Sequence, residues 1–135
     1  CAVSNKTHYN EMNVLSMHAL IGAYQPQGYE WVDELNQVLA GNIEYFCTYA
    51  EKHWKGVAFS SPQGTYMVFL DCTEWCRDHG HDIQWLLDEG ARVGVGYQDG
   101  RPFHGPCHIR VNLALPLSRV REACERLDRY VFNAR

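Results

Sequence analysis

An apolar repeat running from Val32 to Ala50 limits the folds open to this chain more than any other feature. Val32, Leu35, Leu39, Ile43, Phe46 and Ala50 follow one another at helical spacing over more than four turns, which places them on one stripe of a long helix. A helix with a single apolar stripe has to bury it against another layer. Upstream, Val14, Met17 and Ile21 are spaced by three and four residues, predicting a first helix over Asn13 to Tyr24 with those side chains on one face. Pro26, Gln27 and Gly28 break the two helices apart.

The chain then changes character. Gly56 ends the long helix, Val57, Ala58 and Phe59 open a short strand, and Ser61-Pro62-Gln63-Gly64 has the composition of a tight turn, so a hairpin is expected. Thr65 to Leu70 is β-branched, aromatic and apolar at nearly every position, which predicts a central strand covered on both faces. Asp82 is placed to cap a helix that turns Ile83, Leu86 and Leu87 inward, with Gly90 as its left-handed stop.

A third strand is expected from near Arg92. In it Val93, Val95 and Tyr97 alternate with Gly94 and Gly96, leaving one face bare for the close approach of a packed helix or of a ligand. After a loop rich in turn formers (Asp99, Gly100, Pro102, Gly105, Pro106), Ile109, Val111 and Leu113 alternate with Arg110 and Asn112 in a half-buried strand. Ser118 is in position to cap a last helix striped by Val120, Ala123, Cys124, Leu127 and Val131. Connections this short do not permit right-handed parallel crossovers. The expected fold is α+β in two layers, with helices on one face of a small, largely antiparallel sheet.

Length and composition agree with one globular domain. A chain of 135 residues buries roughly two thirds of its unfolded surface, and 46% apolar with 21% charged residues is ordinary for folded domains. A net charge of −4 gives no broad attraction to nucleic acid or anionic membranes. No apolar run reaches bilayer-spanning length and the first residues lack a signal-peptide layout, so a cytoplasmic location is expected. The six cysteines, Cys1, Cys47, Cys72, Cys76, Cys107 and Cys124, are scattered through apparent helices and strands and read as reduced, mostly buried thiols.

Several side-chain sets could carry chemistry. Cys72, Cys76, His79 and His81 are zinc-ligand types, but they crowd one helix-turn segment, whereas a zinc clamp draws its ligands from separate elements. Cys107 and His108 are neighbours on a strand and face opposite ways, so they do not form a nucleophile–base pair, and Cys124 sits in an apolar stripe. No nucleotide-binding glycine fingerprint is complete. Arg110 stands out as a planar fork on the polar face of an apolar strand, suited either to a ligand carboxylate or to an Asp or Glu of the same domain.

Pro62-Gln63-Gly64-Thr65-Tyr66 followed by Asp71, together with Ile109-Arg110-Val111-Asn112-Leu113-Ala114-Leu115-Pro116, resembles the C-terminal portion of fold-type I pyridoxal-phosphate (PLP) enzymes, in the cystathionine β-lyase-type aminotransferase branch. Asn13-Val14-Leu15-Ser16 and Trp31-Val32-Asp33-Glu34-Leu35 are similar to the same branch, so the resemblance covers nearly all of residues 1–135. It implies a C-terminal small domain whose Arg110 matches the arginine that holds a substrate α-carboxylate. It also implies a parent aminotransferase or C-S β-lyase, homodimeric, that uses PLP on amino acids. The loop His104-Gly105-Pro106-Cys107-His108 departs from the Gly-x-Gly-aromatic pattern usual before that arginine. The family's Schiff-base lysine lies on a large domain. Lys52 and Lys55 read as a solvated helix end, and Lys6 falls too close to the small domain to match. PLP is therefore expected in the parent and not on this chain alone, for which a stand-alone α+β binding or regulatory module is the rival reading.

Overall fold

A computed structural model describes residues 12–134. The chain divides into two compact units, Cys1–Gln37 and Val38–Arg135.

In the first unit, α1 spans Val14–Ala23. Asn13 caps it, its side-chain oxygen accepting from the Ser16 N–H at 2.9 Å, and so fills one of the donors that a helix start leaves free. The turn into α2, which spans Pro26–His53, is tight enough to require Gly28, where a Cβ would sit 2.0 Å from the Ala23 carbonyl oxygen. Proline suits the first helical position because its missing N–H has no partner to lose there. The expected helix is present, but none of α1 is buried: Val14, Met17 and Ile21 are about half exposed or more, and Leu15 on its other side is 82% exposed.

The second unit holds the core. From the last part of α2 come Phe46, Cys47 and Ala50, so the long stripe is buried only toward its C-terminal end, while Val32 stays 45% exposed. Strands β1 (Met67–Asp71), β2 (Gln98–Asp99) and β3 (His108–Asn112) form one sheet in the order β1-β3-β2, with both pairings antiparallel. Helices α3 (Thr73–His79), α4 (Ile83–Arg92) and α5 (Leu117–Leu127) complete it, and a π-helical turn follows over Asp128–Phe132. Val68 and Leu70 of β1 pair across from Val111 and Ile109 of β3. All four join the helices' Phe46, Leu86, Val120, Cys124 and Leu127 in one buried cluster. The expected α+β architecture is what is observed. Among the described residues no helix is long and apolar enough to cross a membrane.

Five local expectations are corrected. The Val57–Phe59 strand is reduced to one bridge, Ala58 to Asp71, with both backbone bonds made (2.9 and 2.7 Å). Beyond it lie Pro62, which has no N–H to give, and a stretch of mostly exposed backbone, so β1 is an edge strand and β3 is the central one. Arg92 belongs to α4 and strand pairing starts only at Gln98. Gly90 lies inside α4, and the left-handed glycine is Gly94 at φ 75°. Ser118 sits within α5, whose N-cap is Pro116 with no side-chain cap, because the turn Leu113–Pro116 delivers the chain to the helix two residues early. Asp82 does cap α4, accepting from the Trp85 N–H at 2.8 Å.

Candidate functional site

Alternation along β3 buries Ile109 and Val111 and turns His108, Arg110 and Asn112 to the sheet face away from the helices. Arg110 lies directly across from Phe69 on one side and Gln98 on the other. Its guanidinium carbon stands 4.0 Å over the Phe103 ring, an attractive cation–π geometry. Its Nε donates to Gln98 Oε1 at 2.7 Å, and Nη2 donates to the same oxygen. Among the described residues no Asp or Glu forms an ion pair with Arg110. The neighbouring carboxylate, Asp99, points to the other side of β2 and is taken by Arg101, at 2.7 Å from both Nε and Nη2.

The loop from Gly100 to Cys107 folds over this face. Gly100 receives the close approach of β3, since a Cβ there would meet the His108 carbonyl oxygen at 2.4 Å. Gly105 lies over Phe69 and His108 at 2.5–2.6 Å from a would-be Cβ. The Gly100 N–H donates to the His108 carbonyl at 2.9 Å and fastens the loop base. Phe103 is thereby carried above Arg110. The ring over the arginine belongs to the residue three before Pro106.

His108 stacks on Phe69 with ring centroids 4.7 Å apart, and its Nε2 is 3.8 Å from Asp71 Oδ2. Burial pushes the Asp71 carboxyl upward, but hydrogen bonds from the Thr73 hydroxyl (2.5 Å) and N–H (2.9 Å), with the nearby His108, outweigh it and hold the group below its ordinary value.

The remaining sequence candidates are not assembled into sites. Cys72 and Cys76 are buried, His79 stacks on Trp75 at 4.4 Å and His81 on Trp85 at 3.8 Å. Among the described residues no three metal-ligating side chains converge. Burial and the adjoining Cys107 thiol raise Cys76 to about 12, and burial raises Cys124 to about 12, which is opposite to what an attacking thiolate needs. At Gly94 the close neighbour is a helix side chain: Arg126 of α5 reaches to 3.0 Å of a would-be Cβ and donates to the Val93 carbonyl at 3.1 Å. A cavity of about 330 Å³ opens there between α5, Gly94–Gly96 and the end of β3, on the sheet face opposite Arg110. Its rim charges Arg119, Glu122 and Arg126 are paired with one another.

Of the lysines, Lys52 and Lys55 are exposed near the end of α2, and Lys6 lies outside the described residues. No described lysine shares a face with Arg110, so these residues do not fit a Schiff-base site for PLP. Gln98 and Phe103 are the site residues that sequence reasoning missed. Gln98 is marked only by strand register, and Phe103 only by being the one aromatic residue in a turn-forming loop.

No family model matches the chain. It is 32% identical over 124 residues to a Mycobacterium leprae protein named "Putative cystathionine beta-lyase", covering 80% of this chain and 30% of that protein. A Mycobacterium tuberculosis protein of the same name is 28% identical over the same shares. Among solved structures, the PLP-bound C-S lyase from Staphylococcus hominis superposes with a TM-score of 0.81 at 23% identity, over 94% of this chain and 33% of the lyase. Cystalysin from Treponema denticola, a structure that contains PLP, gives 0.74 at 23% identity over 87% and 29%. The chain spans about a third of the length of the relatives it matches, and its fold is that of the small domain of these PLP-dependent enzymes.

Proposed function

We propose that this chain is the substrate-carboxylate-binding small domain of a PLP-dependent C-S lyase or aminotransferase that acts on amino acids, and that it is inactive without the rest of the polypeptide. The observation that carries this reading is Arg110, a guanidinium on the central strand with no carboxylate partner among the described residues and one face laid on Phe103. A charge kept unpaired on a rigid strand serves a ligand that brings the opposite charge. Arg110 binds and orients the α-carboxylate, and the loop bearing Phe103 excludes water from that contact, which strengthens it. PLP, which supplies the electron sink for amino-acid chemistry, is held by the part of the enzyme that this chain does not provide.

In this reading the partners are the large domain of the same polypeptide and a second copy in a cytoplasmic homodimer. A self-sufficient binding module suits the observations less well. Leu15, Val14, Ile21, Trp31 and Tyr24 are each more than half exposed on α1 and the start of α2, and apolar surface of that extent belongs to a chain that is covered by more protein.

The test is reduction with borohydride after mixing with PLP. The isolated chain should take no stoichiometric adduct, while the full-length polypeptide takes one per chain on a lysine other than Lys6, Lys52 and Lys55. A stoichiometric adduct on Lys6, Lys52 or Lys55 of the isolated chain overturns the reading.

A further inference from the structure

A guanidinium offers two places where a carboxylate can bind through two parallel hydrogen bonds: the side edge formed by Nε and one terminal nitrogen, and the end formed by the two terminal nitrogens. In Arg110 the side edge is taken, because Gln98 Oε1 accepts from Nε at 2.7 Å and from Nη2. We infer that Gln98 is the positioning residue of this site, holding Arg110 by its side edge so that the two terminal amino groups present their free end to the carboxylate.

Three observations support the assignment, which rests on the carboxylate-binding reading of Arg110. Gln98 and Arg110 are direct register partners on β2 and β3, so strand pairing sets the two side chains opposite one another. Gln98 is neutral: its amide oxygen satisfies two donors without cancelling the charge, which a carboxylate at the same position would do. Finally, Phe103 covers one face of the guanidinium and Phe69 flanks it on the β1 side. With one edge and one face occupied, the ligand's approach is confined to the end and the remaining face.

The test is steady-state kinetics of the full-length polypeptide carrying Gln98→Met, Gln98→Glu or Arg110→Ala. Inhibition by a substrate-like carboxylic acid is measured beside inhibition by the corresponding amine that lacks the carboxylate. Gln98→Met keeps the length and removes the acceptor, and should raise KM and the acid's Ki about tenfold, the worth of one hydrogen bond to a charged group. Over the same change kcat and the amine's Ki should stay within about twofold. Gln98→Glu should raise the same two constants about a hundredfold, by pairing with Arg110. If Arg110→Ala raises KM while both Gln98 variants match the wild type, the positioning role falls and the carboxylate reading stands. If Arg110→Ala leaves KM and the acid's Ki unchanged, the carboxylate reading itself falls. If the Gln98 variants shift the amine's Ki as much as the acid's, Gln98 is structural and the inference is overturned. Should Gln98→Glu fail to fold, Gln98→Met decides the question alone.

Discussion

Asn42 on α2 donates its side-chain amide to the carbonyl of Leu113, 71 residues away, at 2.8 Å, and to that of Leu115 at 2.7 Å. Asn42 is 2% exposed and is the one buried polar side chain among the described residues. The two carbonyls it serves lie in the Leu113–Pro116 turn, just past β3, that leads into α5. Replacing Asn42 with Leu keeps the volume but removes this donor: the Leu113 carbonyl is left with the Leu115 N–H at 2.9 Å, and the part-buried Leu115 carbonyl loses its side-chain partner. A buried unpaired polar group costs about 1–3 kcal/mol, so Asn42→Leu should lower unfolding stability by about 1–3 kcal/mol in urea titration, with an unchanged slope. A loss below the error of the titration would mean that the turn re-satisfies itself.

That bond also marks the limit of what the sequence could reveal. The stripe through Ile43, Phe46 and Ala50 is periodic and was legible, as were the β3 alternation and the Asp82 cap. Asn42 lies beside the stripe and looks like any polar flank, because its partners are backbone atoms with no sequence signature. The same holds at Arg110. Its face followed from alternation alone, but Gln98 became its partner only through a register that the Val93–Tyr97 alternation disguised, by imitating a strand where the chain is a helix end and a loop. The central position expected for β1 failed for a related reason. Apolar density reports burial, not hydrogen-bonded neighbours, and Val68 and Leu70 are buried by helices even though β1 is at the edge.

Gly90 gives a second test. Alanine is normally the better helix former by about 1 kcal/mol, yet a Cβ at Gly90 would lie 2.4–2.5 Å from the Tyr97 ring. Tyr97 is anchored by its hydroxyl, which donates to the Leu86 carbonyl. Gly90→Ala should therefore destabilise the domain by about 1–3 kcal/mol, the cost of overpacking a filled core. In a double-mutant cycle, Tyr97→Ala should return most of that loss by vacating the space. Additive effects of the two changes would disprove the proposed clash.

The buried thiols set a pH dependence on the alkaline side. Burial raises Cys124 to about 12 and moves Cys72 up as well. A group whose folded pKa is raised contributes stability that is complete below its unfolded value, near 8.5 for cysteine, and is lost as pH rises toward the folded value. Under reducing conditions, stability should then fall from about pH 9 upward by up to about 1.4 kcal/mol per pH unit for each such thiol. Urea midpoints at pH 8, 9 and 10 measure the slope, and a flat profile would show that these thiols ionise as easily folded as unfolded. In the native protein at pH 8, Cys107, which is half-buried, should react with a thiol reagent before Cys47, Cys72, Cys76 and Cys124, which are buried.

Arg110→Lys addresses the proposed function most directly. Lysine keeps the positive charge and most of the stem but replaces a planar fork with a point charge that can neither meet two carboxylate oxygens side by side nor lie flat on Phe103. Charge-assisted hydrogen bonds contribute about 1.5–3 kcal/mol each. Losing the two-pronged contact should therefore lower kcat/KM of the full-length polypeptide by roughly two orders of magnitude, equivalent to about 3 kcal/mol. Folding should be nearly unaffected, because Arg110 faces away from the core and its partners are the exposed Gln98 and Phe103. The contrast between the two readouts separates the roles. A hundredfold kinetic loss with an unchanged urea midpoint assigns Arg110 to the ligand, whereas a lowered midpoint with kcat/KM intact would make it a brace between β2, β3 and the loop above them.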